Sequence, residues 1–235
     1  IRRPMGQVRG PNGPVWTASR QLDLEMELGA VVGANTSLGE RLDVEAAEAA
    51  IFGYVLLNDW SARDIQAWEY QPLGPFQGKA FATTIGAWVV TQAALEPFRA
   101  EGAARHAPLL DHLRETRPGL YDLDMGWTMN GQVMAQTNYR VMSYSSAQQI
   151  AHHSSSGCPM RIGDLVGSGT ISGPGRDQAG ALLEMTEAGR LALTVGGQMR
   201  RFIEDGDEIG LFCQAQGDGY RIGFGPCLGR ILPAV

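Results

Sequence analysis

Cysteine is scarce. The 235 residues hold three, Cys158, Cys213 and Cys227, far apart and without CxxC or any other zinc-ligand spacing. That excludes a disulfide framework and a thiolate zinc centre, and the three read as reduced core thiols of a cytoplasmic protein. Long apolar runs are missing too. The best candidates, Tyr54 to Leu57 and Ala87 to Val90, fall far short of the roughly 20 residues that cross a bilayer, so no membrane partner is expected. Basic clusters are lacking: 19 Lys and Arg against 25 Asp and Glu give a net charge of -6, which argues against nucleic acid as a partner. There is no internal repeat, low-complexity linker or signal-peptide profile. The opening Ile1-Arg2-Arg3-Pro4 does not resemble an independent start, and the chain reads as the later part of something longer.

What is present is enough for a sizeable core. Hydrophobic residues make up 44% and charged residues 19%, the composition of a soluble globular protein. Residues 1 to 20 carry Gly6, Gly10, Pro11, Gly13 and Pro14 and read as an opening loop. From Gln21, the apolar Leu22, Leu24, Met26 and Leu28 alternate with Asp23, Glu25 and Glu27, which predicts a strand with one apolar and one acidic face. Val44 to Ala50 reads as a helix and Ile51 to Leu57 as a buried strand. A short helix follows from about Ser61 to Tyr70, with Asp59 placed to cap it. Phe81 to Thr91 and Tyr121 to Gln136 read as strands separated by a polar loop, Ala100 to Pro118. A helix opens at Ser145 or Ser146 and ends by Gly157. Further strands are expected at Leu165 to Val166, Gly180 to Thr186, Leu191 to Val195, Glu208 to Cys213 and Ile222 to Phe224. Together these give a single β-rich mixed domain over residues 1–235.

The acids carry the chemistry. Glu25 and Glu27, two apart on a strand, project from one face about 7 Å apart along the chain. A solvated strand face accounts for such a pair as well. Asp59 ends an apolar strand, where acids are presented to ligands. Three close carboxylates repel unless a cation sits among them, and an all-oxygen donor set suits Mg²⁺ or Ca²⁺. Arg63, Gln66 and Tyr70 stand four, seven and eleven residues after Asp59, which places all four on one helical face with Ile65 and Trp68 on the packing side. An ordinary surface helix with an i,i+4 ion pair gives the same pattern. Lys79 follows a loop of Pro72-Leu73-Gly74-Pro75-Phe76-Gln77-Gly78, and Thr83 comes four residues later. A cation beside a metal site suits stabilisation of an oxyanion.

The run Asn58-Asp59-Trp60-Ser61-Ala62-Arg63-Asp64-Ile65-Gln66, with Trp68-Glu69-Tyr70 and Pro72 to Phe76, closely resembles the fumarylacetoacetate hydrolase family. The similarity continues through Ile1 to Gln7, Leu22-Asp23-x-Glu25-x-Glu27, His152-His153, Ser168 to Pro174 and Gly217 to Gly225, and so covers nearly the whole chain. Acylpyruvate hydrolases and oxaloacetate decarboxylases share the acidic triad but usually not the run after Asp59. The resemblance implies a mixed β-sandwich roll, a β-rich α+β fold of the family's C-terminal domain type, usually dimeric. It implies hydrolysis of the carbon-carbon bond of 4-fumarylacetoacetate to fumarate and acetoacetate, the last step of tyrosine catabolism, with a small β-diketo acid as partner. Glu25, Glu27 and Asp59 resemble the metal ligands, with Lys79 and Thr83 around the cation. Gln66, Tyr70 and Thr170 take the positions of substrate contacts. Arg63, Gln66 and Lys79 take those of charge-stabilising groups, and Glu184 that of the acid orienting a catalytic histidine. In the family a further aspartate ligand, the histidine base and a small N-terminal domain precede the segment matching Ile1. His106, His112, His152 and His153 do not match the base, so a non-catalytic metal-binding remnant is the alternative, followed by a related hydrolase or decarboxylase. The glycines of Gly217 to Gly225 fit neither GxGxxG nor a P-loop and read as turns.

Overall fold

Two five-stranded antiparallel sheets carry the structure, a computed structural model that describes residues 1–105 and 107–235. In the first sheet Met26–Val32 lies between Leu165–Gly167 and Ile51–Asp59. Ile51–Asp59 pairs in turn with Thr83–Ile85 and Val90–Thr91. The second runs Gln132–Asn138, Asp124–Met129, Glu208–Gln216, Arg221–Gly223, with Cys227–Arg230 also on Glu208–Gln216. A continuous apolar core joins them, with Leu28 and Leu56 from the first sheet and Trp127 and Leu211 from the second. Short helices flank the sheets. This is the expected β-rich α+β roll.

Local chemistry explains most element ends. Asp43 caps Val44–Ala49 by accepting the Ala46 N–H at 2.8 Å. Ser145 caps Ser146–Ser154 in a capping box with Gln148. Cys213 and Cys227 are buried in the core as expected, whereas Cys158 is only half-buried and lies outside it. The glycines after Glu208–Gln216 form the turn into Arg221–Gly223. His106 lies outside the described residues.

Several expectations need correction. Residues 1–20 are a hairpin, Met5–Gly10 against Gly13–Ala18, because their glycines and prolines sit mainly at the reversal while Val8 opposes Val15. The expected strand from Tyr121 to Gln136 is itself a hairpin, Asp124–Met129 with Gln132–Asn138, reversing at Asn130-Gly131, both at positive φ. Phe81 to Thr91 is broken at Gly86 to Val89, which leaves Trp88 67% exposed. Gly180 to Thr186 is not a strand: Leu182–Met185 is helical, because the Asp23 carboxylate accepts the N–H groups of Leu182 and Leu183. Nor does Asp59 cap a helix. It ends its strand, and the helix Arg63–Glu69 starts from Ala62 with no side-chain cap. Trp68 is 40% exposed and only Ile65 packs inward, against Val8 and Ala62. The strand from Gln21 breaks at Leu24-Glu25, giving Leu22–Asp23 and Met26–Val32, and its acidic side is not solvated, since Asp23 and Glu27 are buried.

Trp60, next to Asp59, is fully buried and donates its indole N–H to Thr84 Oγ1 at 2.8 Å. A Cβ at Gly229 would lie 2.6 Å from its ring, whereas one at Gly223 would meet nothing. Gly229→Ala should therefore cost about 2 kcal/mol through overpacking, read by urea unfolding. Gly223→Ala should stay within about 0.5 kcal/mol of the parent; equal effects would contradict this packing.

Candidate metal and active site

Register brings the acids together. Pairing of Met26 with Asn58 sets Glu25 beside Asp59, whose N–H donates to the Glu25 carbonyl at 3.2 Å. Asn58 Oδ1 accepts the Glu25 N–H at 3.2 Å. Glu25 and Glu27 face the same side, and one oxygen from each of Glu25, Glu27 and Asp59 lies within 4.8 Å of the others. Glu27 is 3% exposed and accepts the Gly169 N–H at 3.0 Å.

Two cations meet these acids. Lys79 Nζ bonds Glu25 Oε2, and Asp59 Oδ2 at 3.0 Å. Its helix, Gln77–Ala80, is held to Arg63–Glu69 because Glu69 accepts the N–H groups of Phe76 and Gly78 at 2.8 and 2.7 Å. Gly78 is needed for that approach, since a Cβ there would lie 2.8 Å from the Gln66 backbone nitrogen. Arg63 Nη1 donates to Glu25 Oε1 at 2.8 Å and to Gln66 Oε1 at 3.1 Å, while its Nε and Nη2 reach Asp23 Oδ2 at 2.9 and 2.8 Å. Arg63 thus pairs with Asp23 and Glu25 in place of the i,i+4 pairing with Asp59. Burial opposes its charge, but Asp23 and Glu25 outweigh that and raise its pKa.

Four carboxylates against two cations leave an excess of two negative charges, the complement of one divalent ion. Without such an ion, burial pushes the Glu27 carboxyl up to about 8, with repulsion from Asp59 and Glu25 adding to it. Burial likewise raises Asp59, against the pull of Lys79. Three carboxylate oxygens fit a hard cation such as Mg²⁺ or Ca²⁺.

The other expected residues are placed less tightly. Thr83 is exposed and pairs across the strands with Asp59. Thr170 is half-buried, one residue after the Gly169 N–H that holds Glu27. Glu184 is exposed, on a helix where a strand was expected, and accepts from Ser172 Oγ at 2.9 Å. Tyr70 is exposed at the end of its helix and lines a cavity of about 550 Å³ with Val8, Arg9, Asp64 and Trp68. His112 and His152 are exposed and meet each other, Nε2 to Nδ1, at 3.3 Å. Sequence reasoning passed over Asp23 as a site residue, although it is the third acid of the same alternation. It also passed over a signal for Lys79, which is the single lysine of the chain against 18 arginines.

The fumarylacetoacetate (FAA) hydrolase C-terminal family model matches residues 1–231. The chain is 46% identical to a fumarylacetoacetase of Rattus norvegicus and 45% identical to those of Homo sapiens and Arabidopsis thaliana. Each match covers all of this chain and 58% of the relative, so the chain spans little more than half the length of these proteins. Among solved structures, fumarylacetoacetate hydrolase from Exiguobacterium antarcticum matches with a TM-score of 0.62 at 20% identity, over 99% of this chain and 62% of that one. A 2-hydroxyhepta-2,4-diene-1,7-dioate isomerase from Mycobacterium marinum matches with a TM-score of 0.57 at 19% identity, over 99% and 74%. At such identities the likeness is one of fold.

The raised Glu27 carboxyl sets a pH dependence. Below about pH 4.5 it is protonated in both the folded and the unfolded chain. Between there and about 8 only the folded chain keeps the proton, so metal-free stability falls with rising pH through that window. In EDTA, Glu27→Gln should therefore gain on the parent by about 3 kcal/mol more at pH 8 than at pH 5. Urea unfolding at the two pH values checks this, and an equal difference at both would contradict it.

Proposed function

Because this chain belongs to the fumarylacetoacetate hydrolase C-terminal family, we propose that it carries the metal-dependent centre of a hydrolase acting on carbon-carbon bonds. Its substrate in this reading is 4-fumarylacetoacetate, cleaved to fumarate and acetoacetate as the last step of tyrosine catabolism. The observation that carries the reading is the convergence of Glu25, Glu27 and Asp59 within 4.8 Å. Likeness over the full chain to proteins named fumarylacetoacetase supports it.

Glu25, Glu27 and Asp59 would hold Mg²⁺ or Ca²⁺, with Thr83 beside Asp59. Such an ion would supply Lewis acidity toward a β-diketo substrate. Lys79 and Arg63 then act as fixed donors toward negative charge on the substrate, with Gln66 positioned by its bond to Arg63. A half-buried, already oriented pair of cations needs little reorganisation when that charge develops. Tyr70 and Thr170 are assigned to substrate contact. Glu184 is assigned to orienting a histidine base that the family carries ahead of the segment matching Ile1, so the proton from the attacking water is placed outside these residues.

We assign the chain to the cytoplasm as a homodimer. Buried free thiols support a reducing compartment, and no helix of the described residues is long and apolar enough to cross a membrane. The exposed Ile85, Trp88 and Val89 support a covered face in an assembly.

With Mg²⁺, this chain joined to the segment that supplies the histidine base should convert 4-fumarylacetoacetate to fumarate and acetoacetate, and EDTA should abolish this. Lys79→Met should lower kcat by about 10²–10³-fold, the loss typical of one oxyanion donor. Turnover unaffected by EDTA would contradict the reading. Ion binding without turnover would favour a metal-binding remnant.

A further inference from the structure

Asp23 has no exposed surface and therefore cannot touch a substrate. Its carboxylate nevertheless accepts bonds from three separate segments. Oδ1 takes the N–H groups of Leu24 and Leu182 at 2.8 and 2.9 Å. Oδ2 takes the Leu183 N–H at 3.2 Å and Arg63 Nε at 2.9 Å. The second oxygen is thus shared between the guanidinium that reaches Glu25 and Gln66 and the first turn of the helix that bears Glu184. No other acid among the described residues joins these two segments in the bonds present.

We infer that Asp23 is a positioning residue that couples the Arg63 guanidinium to the helix Leu182–Met185, so that the charge-stabilising donors and Glu184 keep a fixed relation. Geometry favours coupling over simple bracing. A carboxylate needed only to cap a four-residue helix does not require a two-nitrogen contact with an arginine. An arginine needed only as a counter-ion does not require a partner that also fixes a backbone 160 residues away. Each Arg63 nitrogen has an assigned acceptor: Nε and Nη2 on Asp23, Nη1 on Glu25 and Gln66. Rotation of the planar group would break contacts at both ends, because its donor fork is rigid. Loss of the Asp23 charge therefore frees Arg63 to turn and releases the Leu182 and Leu183 N–H groups together.

The kinetic part of the test rests on the hydrolase reading above. Asp23→Asn should lower kcat by about 100-fold, the scale of a misplaced catalytic group, with KM within about threefold of the parent. Added to Arg63→Gln, it should cost less than about a further threefold, because both remove one arrangement. Independent, multiplying losses, or an Asp23→Asn kcat within threefold of the parent, would overturn the inference. If the parent shows no turnover even when joined to the segment that supplies the histidine base, the hydrolase reading fails by itself, and NMR decides the coupling. The Arg63 Nε–H and the Leu182 and Leu183 amides should exchange slowly in the parent and at least about tenfold faster in Asp23→Asn, with the Leu56 amide unchanged. Unchanged protection would overturn the inference. Should Asp23→Asn not fold, Arg63→Gln should still shift the Leu182 and Leu183 amide resonances, which Arg63 does not touch, and static resonances there would overturn it.

Discussion

Mutual repulsion among Glu25, Glu27 and Asp59 is the constraint around which the rest is arranged. Carboxylates brought this close, one of them 3% exposed, cannot all stay ionised without positive charge among them. With the buried Asp23 counted as a fourth acid, the chain answers in part with Lys79 and Arg63 and leaves two negative charges over when all four are ionised. That excess of negative charge makes the triad compatible with a divalent cation. It also raises Glu27, so the metal-free protein holds a proton there that an ion would displace.

The fold serves this constraint by register. Antiparallel pairing of Met26–Val32 with Ile51–Asp59 gathers acids that stand more than thirty positions apart, and the buried Trp60 fixes the end of the second strand. The helices Arg63–Glu69 and Gln77–Ala80 deliver the two cations from the same continuous stretch. The stretch from Asp59 to Lys79 thus holds one acid of the triad, both cations and their support. Short local connections of this kind keep the donors oriented at little entropic cost.

Much of this was legible in the residues themselves. The alternation from Leu22 to Leu28 and the acid at the end of an apolar strand indicated the triad, because side-chain direction in a strand follows from period two alone. The Asn-Gly pair at 130 and 131 was an available hairpin signal that went unread. The helix at Leu182–Met185 was not legible locally. Gly180 to Thr186 reads as a strand, and what makes it turn is the Asp23 carboxylate, supplied from 159 residues earlier. The break at Leu24-Glu25 depends likewise on Asn58 from the neighbouring strand. Lys79 was readable as a special position from composition, since a chain that otherwise uses only arginine keeps one compact ammonium and places it against two acids.

The most direct measurement is the proton count that accompanies ion uptake. Titration calorimetry with Mg²⁺ or Ca²⁺ at pH 7, repeated in buffers of different ionisation enthalpy, gives the number of protons released per ion bound. Burial and the neighbouring acids push Glu27 up to about 8 in the metal-free site, so about one proton should be released per ion at pH 7, fading above pH 9. Binding with no proton release at pH 7, or no heat of binding at all, would contradict it.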